Sequence, residues 1–287
     1  MNYSPQGLII YEGPSNFDGK DIVSIITGFD KRSDNRKTGP MLQCFILCKD
    51  LKPTEAWKDL SHQSVFNDCK HGKQFGNSCY VNLGMGVNGV WQAYKRGSYG
   101  LYTKWEERSY CSKLDILGLF DGESVRFGAF GDPCAVPFDV WKTFLQGLQE
   151  SNGQWTGYTH SWKVCDPRFK EFVVASVDNP DELAEARKAG WRTFRTMTED
   201  EVLEPGEFLC PATEESWAKN RRQVRCIDCC ACDGLNGRSQ RRGSAAIRVH
   251  GLGWKVQNYL RIRGKKPENL TYAVLDSESR ASAVDAM

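Results

Sequence analysis

The sequence lacks the segments that place a protein in or across a membrane. No run of apolar residues approaches the roughly 20 that a membrane-spanning helix needs. The N-terminal stretch MNYSPQGLII has neither the basic region nor the cleavage site of a secretory signal peptide. We therefore expect a cytoplasmic protein without membrane contact.

Motifs of several common enzyme classes are also missing. There is no G-x4-G-K-[ST] phosphate loop, no H-E-x-x-H of a zinc protease and no G-x-S-x-G of a serine hydrolase. The zinc deaminase pattern is absent, because Pro133-Cys134 has no second cysteine after it. The C-x3-C-x2-C motif of radical-SAM enzymes is absent too, since Asp233 stands where its third cysteine would be. An enzyme built on this chain would be of an unusual kind, without any of these motifs.

Histidine is scarce, whereas cysteine is plentiful. The chain has four His and 12 Cys, so metal ligation would depend mainly on thiolates. In a reducing compartment, such a cysteine content favours metal ligation over a disulfide framework. Hydrophobic residues make up 40% of the chain and charged residues 26%, which is typical of a globular protein.

Three cysteines at the spacing C-x2-C-x2-C, namely Cys226, Cys229 and Cys232, follow a Cys210-Pro211 pair after a charged spacer. The spacing places three thiolates within one turn, and Cys210 supplies a fourth for the same metal centre. Clustered thiolates repel one another and oxidise unless a metal binds them. A [4Fe–4S] cluster is favoured over zinc, because bacterial ferredoxins combine a C-x2-C-x2-C run with a Cys-Pro, although in the opposite order.

A second group of potential ligands lies in the glycine-rich stretch VFNDCKHGKQFGNSCYVNLGMG. Cys69, His71 and Cys79 follow no helical or strand periodicity there, and glycine lets a loop bring side chains together without strain. Two thiolates and one imidazole predict a partial metal site. The candidates for its fourth ligand, besides an open position for substrate, are Cys44, Cys48 and Cys111.

The net charge of +2 conceals a strongly basic stretch. Residues 219–266 contain 13 Lys or Arg and only two acids. Such a concentration of positive charge attracts polyanions, and the aromatic side chains of Trp217, Trp254 and Tyr259 could stack on bases. We therefore predict non-specific contact with nucleic acid. The residues expected to touch phosphates are Arg221, Arg222, Arg241 and Arg242.

The order of apolar segments predicts a mixed α/β protein. Three β-branched runs at 7–12, 22–29 and 41–48 predict an N-terminal antiparallel β-meander. From residue 116 onward strand and helix patterns alternate with short links, which favours a (β/α) barrel or a doubly wound sheet. We expect a barrel-like fold or a partial barrel, with cysteine-rich metal-binding loops. The predicted parts are 1–60 for the meander, 61–255 for the barrel-like core and 256–287 for a basic and then polar tail.

Function in such folds lies at the carboxyl ends of the parallel strands. Asp132 is a candidate general base or metal ligand there, and Arg126 is a candidate anion clamp. His160 is a candidate proton shuttle, with Tyr158 in the same pocket. The ordinary alternative is that strand-end polar groups cap the next helix. We expect the cysteine cluster at the same edge of the barrel.

Four motifs occur in order along the chain: SCYVN, VRFGAFGDP with VPFDVW, WTGYTHSW, and CPA with the later CIDCCAC. Over about residues 5–255 the sequence resembles a domain-of-unknown-function family of tailed-phage and prophage proteins. The resemblance implies a phage-encoded protein in the cytoplasm of a bacterial host cell. It also implies a barrel-like fold distantly similar to radical-SAM-type barrels, and no particular activity. The chain departs from the family at FNDC (66–69), where relatives have C-x2-C, so the site at Cys69 is weakened or completed by another residue.

Two functions from different classes remain open. The first is a metal-dependent enzyme, or an enzyme-derived barrel, that acts on nucleic acid or a nucleotide during phage infection. The second is a non-catalytic protein whose zinc centre folds the basic stretch for contact with nucleic acid or a host protein. An iron–sulfur cluster favours the first function, and zinc favours the second.

Overall fold

The structure, a computed structural model, describes residues 6–32, 35–101, 119–237 and 243–265. Its strands are β1 (Gly7–Pro14), β2 (Asp21–Thr27), β3 (Leu42–Cys48), β4 (Gly100–Leu101), β5 (Ser124–Phe130), β6 (Gln154–Thr156), β7 (Tyr158–Thr159), β8 (Val174–Val177), β9 (Thr193–Met197), β10 (Glu207–Leu209) and β11 (Ser244–Arg248). The α-helices span Pro53–Lys58, Gln63–Phe66, Asn88–Lys95, Phe138–Glu150, Pro180–Lys188, Glu214–Asn220, Cys226–Cys229 and Gly253–Ile262. No helix among these residues is long and apolar enough to cross a membrane.

The first sheet has six strands in the order β4-β1-β2-β3-β5-β6. Its first three strands in the chain run antiparallel, as the predicted meander does, whereas β5 joins β3 and β6 joins β5 in parallel. Every residue of β2 from Ile22 to Ile26 is buried, so both faces of the sheet are covered. The boundary predicted at residue 60 therefore falls between β3 and β5, which are neighbours in one sheet.

The second sheet is parallel throughout, with the strand order β10-β11-β9-β8-β7. Helices follow strands as the sequence predicts: Phe138–Glu150 comes after β5 and Pro180–Lys188 after β8. The second of these helices begins where expected, because the Asn179 side chain accepts a hydrogen bond from the Glu182 N–H at 2.7 Å. The last helix, Gly253–Ile262, contains the boundary predicted at residue 256 and buries Tyr259.

The two sheets do not close into a barrel in the part of the chain that the structure describes. The chain passes from β6 to β7, and so from one sheet to the other, at Gly157. The Gly157 N–H donates to the Cys232 carbonyl at 2.8 Å, outside either strand ladder. A Cβ at this position would lie 2.9 Å from the Phe127 Cβ, so only glycine lets the sheets approach here. The described residues therefore form no closed barrel, whereas the mixed α/β class with N-terminal antiparallel strands is confirmed.

A cluster of aromatic side chains fills the space between β5, β6 and the helix Phe138–Glu150. Phe127, Trp141 and Trp155 are at most 1% exposed, and the Phe127 and Trp141 rings meet edge to face with centroids 4.9 Å apart. The indole N–H of Trp155 donates to the Phe172 carbonyl at 2.8 Å, which satisfies its buried donor. This rigid packing fixes the strand that carries Arg126.

Gly234 provides a test of the close backbone packing around the cysteines. Its φ is +70°, and a Cβ would lie 2.5 Å from the Phe172 backbone nitrogen. Gly122 is a matched control, because its φ is +66° and a Cβ added there would have nothing within 4 Å. We expect Gly122→Ala to lower the free energy of unfolding by about 1 kcal/mol through backbone strain. Gly234→Ala should lower it by about 3 kcal/mol, because the clash adds to the strain.

Urea unfolding followed by tryptophan fluorescence would measure both values. Equal losses for the two variants would show that residues 226–236 do not pack against the backbone at Phe172 as described.

Candidate functional site

A cavity of about 410 Å³ is lined by residues from both sheets, a volume within the range of ligand pockets, about 300–1,000 Å³. All of the catalytic and metal-ligating residues predicted from the sequence line it. They are Arg126, Asp132, Tyr158 and His160, together with Cys69, His71, Cys79, Cys210, Cys226, Cys229 and Cys232. The fold thus brings together groups that lie far apart in the sequence.

Residues 226–236, which we call the cysteine segment, cross the amino-terminal ends of the parallel strands. The Cys226 N–H donates to the carbonyl of Lys37, which precedes β3, at 2.9 Å. Arg192, directly before β9, donates from its side chain to the Ala231 carbonyl at 2.7 Å. The expectation that the cluster lies at the carboxyl-terminal edge therefore holds for Cys210, which directly follows β10, but not for the three cysteines of the cysteine segment. The reason is that these backbone contacts attach the segment to loops that enter the strands.

The thiols of Cys210, Cys226, Cys229 and Cys232 lie near enough to one another to interact electrostatically. Burial raises the pKa of Cys210 to about 12, and the Cys226 and Cys229 thiols contribute to the rise. Burial also raises the pKa of Cys232, with contributions from the other three. Without a metal, Cys210 and Cys232 are therefore neutral thiols at neutral pH. All four side chains line the cavity, and their role as metal ligands stays a prediction.

The fit of these residues to a metal depends on spacing and on charge. Within the described ranges, no three His, Cys, Asp or Glu side chains form a ready set of metal ligands, so the four sulfur atoms share a wall without meeting at one point. Burial raises the pKa of Cys226, whereas Arg126 and Lys37 act in the opposite direction. Cations beside a thiolate cluster compensate its negative charge. The donor set and the surrounding charge therefore fit a four-sulfur centre, and metal binding would have to tighten the sulfur spacing.

The Arg126 guanidinium, the predicted anion clamp, has hydroxyl partners in the cavity. Its Nη2 donates to the hydroxyl oxygens of Tyr80 at 2.9 Å and Tyr158 at 3.1 Å. These two hydroxyls are 2.7 Å apart, and the Tyr158 ring stacks on Phe194 with centroids 5.4 Å apart. No carboxylate of the described residues pairs with Arg126. A positive charge in this position can bind an anionic ligand bidentately.

Asp132, the predicted general base, has its carboxylate occupied by loop contacts. Its Oδ2 accepts hydrogen bonds from the Thr159 hydroxyl at 2.9 Å and the His160 N–H at 3.0 Å. Its Oδ1 accepts from the Cys134 N–H at 3.0 Å. These bonds join two strand-end loops, and the side chain is 4% exposed. We therefore assign Asp132 the structural, capping alternative.

His71, predicted as a metal ligand, uses both ring nitrogens in hydrogen bonds. Nδ1 lies 2.8 Å from the Ser78 hydroxyl and Nε2 lies 2.9 Å from a carboxylate oxygen of Asp178. Burial raises the pKa of Cys69 to about 12, with a contribution from Cys79, so these two thiols do lie near each other. Because the imidazole is occupied, we assign no metal to this group. Cys111, one candidate for its fourth ligand, lies outside the described residues.

His160, the predicted proton shuttle, is a neutral imidazole. Burial lowers the pKa of His160 to about 3, and the adjacent His71 ring contributes to this shift. The centroids of the two rings are 5.1 Å apart. The Nδ1 of His160 is buried and has no hydrogen-bond partner among the residues that the structure describes. His160 is therefore a neutral ring with a single N–H at neutral pH, and its Nδ1 is buried rather than open to the cavity.

The predicted nucleic-acid contacts are described only in part. Arg221 and Arg222 are exposed, whereas Arg241 and Arg242 lie outside the described residues. Contact of these four side chains with phosphates stays a prediction.

Other cations of the basic stretch have acidic partners. Arg263 lies 2.6 Å from Glu201, and Arg248 lies 3.5 Å from Glu215. These ion pairs cancel part of the positive charge of residues 219–266, because Glu201 and Glu215 lie outside that stretch. Any affinity for phosphates is therefore weaker than the count of 13 cations implies.

The cavity wall also contains residues that were not predicted from the sequence, among them Lys37, Tyr80 and Lys255. Tyr80 belongs to the SCYVN motif, so that signal could have indicated it. Lys37 lies in a turn-rich stretch and Lys255 in the basic stretch, where neither has a local pattern of its own. Their place in the site follows only from the tertiary fold.

The site therefore combines a wall of clustered thiols, a guanidinium without a carboxylate partner in the described residues, and a neutral histidine. Its interpretation depends on these contacts alone. No protein-family model, no curated protein and no solved structure matches the chain.

Proposed function

We propose that the chain is a metalloprotein that holds an iron–sulfur centre between Cys210, Cys226, Cys229 and Cys232 and acts on an anionic ligand in the adjoining cavity. The observation that carries the proposal is that four cysteines from two separate parts of the chain line the same cavity as Arg126. The neighbouring thiols raise the pKa of Cys210 and Cys232. A bound metal would stabilise the thiolate forms that this proximity disfavours.

The proposed ligands belong to parts of the fold whose backbone is held by hydrogen bonds, which supports a site that forms by movement of the side chains. The Cys210 N–H donates to the Ala246 carbonyl at 2.7 Å, beside the β10–β11 pair. The short helix Cys226–Cys229 is attached through the Cys226 N–H to Lys37, and the Cys232 carbonyl accepts from Gly157. A metal would therefore draw together side chains whose backbones are already held.

The open side of the cluster favours iron–sulfur over zinc. Structural zinc sites with four cysteines are closed tetrahedra with no room for substrate. Here the sulfur wall faces a cavity of about 410 Å³, which suits a reactive centre better than a purely structural one. When bound, an iron–sulfur centre supplies electron transfer or a Lewis-acidic iron.

The chain's own residues would bind and orient the ligand. Arg126 would hold its anionic group through the guanidinium, with Tyr80 and Tyr158 fixing that guanidinium from one side. The neutral ring of His160, which lines the cavity, would contact the ligand without adding charge. The cavity is too small for duplex DNA but accommodates a single nucleotide, free or turned out of a strand. The basic stretch and the motif resemblance favour a nucleotide as this ligand, bound during phage infection.

Purification without oxygen, followed by absorption spectroscopy and metal analysis, tests the proposal. We expect a brown protein with broad visible absorption and about four iron atoms per chain. A colourless protein with about one zinc per chain would favour the second function, a zinc-structured protein that binds nucleic acid or a host protein through exposed cations such as Arg221. A protein with neither metal would contradict both.

A further inference from the structure

Three buried side chains, Ser78, His71 and Asp178, form a hydrogen-bonded line beside the cavity. The Ser78 hydroxyl lies 2.8 Å from Nδ1 of His71, and Nε2 of His71 lies 2.9 Å from Oδ2 of Asp178. Ser78 is 8% exposed and Asp178 is 1% exposed. Ser78 and His71 both line the cavity. The line is separate from the four cysteines assigned to the metal.

The charge of Asp178 determines which way the hydrogen bonds run. Lys70 lies 2.6 Å from its Oδ2, and the Tyr259 hydroxyl donates to its Oδ1 at 3.2 Å. Burial raises the pKa of Asp178, but His71 and Lys70 outweigh burial and hold the pKa well below its usual range. The carboxylate is therefore ionised and can only accept hydrogen bonds.

The ionised carboxylate fixes the tautomer of His71. Because Asp178 accepts, Nε2 of His71 carries a hydrogen. When the ring is neutral, this leaves Nδ1 without a hydrogen and therefore as the acceptor. The Ser78 hydroxyl must then donate to Nδ1. This is the arrangement in which a histidine can remove a serine proton, with a carboxylate behind the ring to stabilise the imidazolium. The two ring nitrogens exchange roles relative to the serine proteases, in which the serine faces Nε2.

We propose that Ser78 is a nucleophile, activated by His71 and oriented through Asp178, that attacks a carboxylic ester bound in the cavity. The Oγ of Ser78 forms a bond to the acyl carbon while its proton passes to Nδ1 of His71. The ester C–O bond breaks, and the leaving alkoxide takes that proton. Water then attacks the acyl-serine, gives its proton to His71, and releases the acid while His71 returns the proton to Ser78.

Lys255 is a suitable donor for the negative oxygen that forms in this attack. Its ammonium lines the cavity and donates to the Val81 carbonyl at 2.8 Å. It interacts electrostatically with the thiol of Cys79, the residue after Ser78. No carboxylate of the described residues pairs with it. Its remaining N–H groups can therefore stabilise an oxyanion beside Ser78.

A fluorophosphonate probe tests this proposal on the purified, metal-containing protein. Attack by Ser78 on the probe forms an O–P bond and releases fluoride, which adds one probe mass to the intact chain. We expect a single adduct that maps to Ser78 and is lost in Ser78→Ala. The isosteric changes Asp178→Asn and His71→Gln should slow labelling by about 100-fold, because they remove the orienting charge and the base. Ser176→Ala, at a second serine of the cavity wall, should label at the wild-type rate.

Folding of each variant would be checked by circular dichroism, and Asp178→Asn serves if His71→Gln does not fold. A folded wild-type protein without an adduct at Ser78 would overturn the proposal. So would equal labelling rates in wild type and a folded His71→Gln or Asp178→Asn variant, because the three side chains would then only hold the loop in place. Labelling reports on Ser78 and metal analysis on the cysteines, so this inference and the proposed function can fail separately.

Discussion

Cys229→Ser should remove the metal from the protein, whereas Cys230→Ser should leave it in place. The Cys229 thiol acts on the thiols of Cys210, Cys226 and Cys232, which makes it part of the proposed ligand set. We expect its loss to reduce metal content at least about tenfold. Because metal binding and folding are coupled, stability should fall by several kcal/mol as well.

Cys230 is the matched control, since it lies in the same turn and is buried. Its Sγ donates to the Cys226 carbonyl at 3.3 Å, a contact that a serine hydroxyl can replace. Metal content and thermal stability of the two variants would be measured side by side. Full metal content in both variants would show that Cys229 is not a ligand. Loss of metal in both would show that metal binding is sensitive to any change in this turn.

Arg195→Ala should destabilise the fold by about 3–5 kcal/mol, because it leaves a buried carboxylate without its partner. Arg195 and Glu207 have fully buried side chains, and their closest N–O distance is 2.6 Å. Arg195 also donates to the Val202 carbonyl at 2.7 Å. The pair joins β9 to β10, the strand that leads directly into Cys210, so its loss should also lower metal content.

Lys163→Ala is the control for this experiment. Lys163 lies 2.6 Å from Glu185, but both side chains are about half exposed, and such pairs contribute less than about 1 kcal/mol. Urea unfolding at neutral pH would compare the two variants. A loss in Arg195→Ala no larger than in Lys163→Ala would mean that Glu207 is not a buried charge that depends on Arg195.

The sequence predicts the local elements of this fold well, because they depend on local signals. The run SVRFGAF has the residue types of a strand and forms β5 along its whole length, and Asn179-Pro180 begins a helix as its capping pattern indicates. The run QWTGYTH (154–160) has the pattern of one strand but divides at Gly157 between two sheets. That division depends on contacts with Phe127 and Cys232, which no local pattern encodes.

The sequence allowed residues of the candidate site to be named, but not their arrangement in space. Residue type and spacing pointed to polar side chains and cysteines that line one cavity, whereas their roles stay predictions. The prediction that the cysteine segment lies at the carboxyl-terminal edge was wrong, because the position of this segment depends on backbone hydrogen bonds to Lys37 and to the loop before β8. The roles of His71 and Asp132 also changed, because their partners Asp178 and Thr159 are far away in the sequence.

X-ray absorption at the metal edge of protein purified without oxygen tests the central claim most directly. The account predicts a first shell of sulfur atoms alone, about four of them at about 2.3 Å from the metal, supplied by Cys210, Cys226, Cys229 and Cys232. For an iron–sulfur cluster, a further shell of neighbouring iron atoms should follow. A first shell dominated by nitrogen or oxygen, or the absence of any stoichiometric metal, would contradict it.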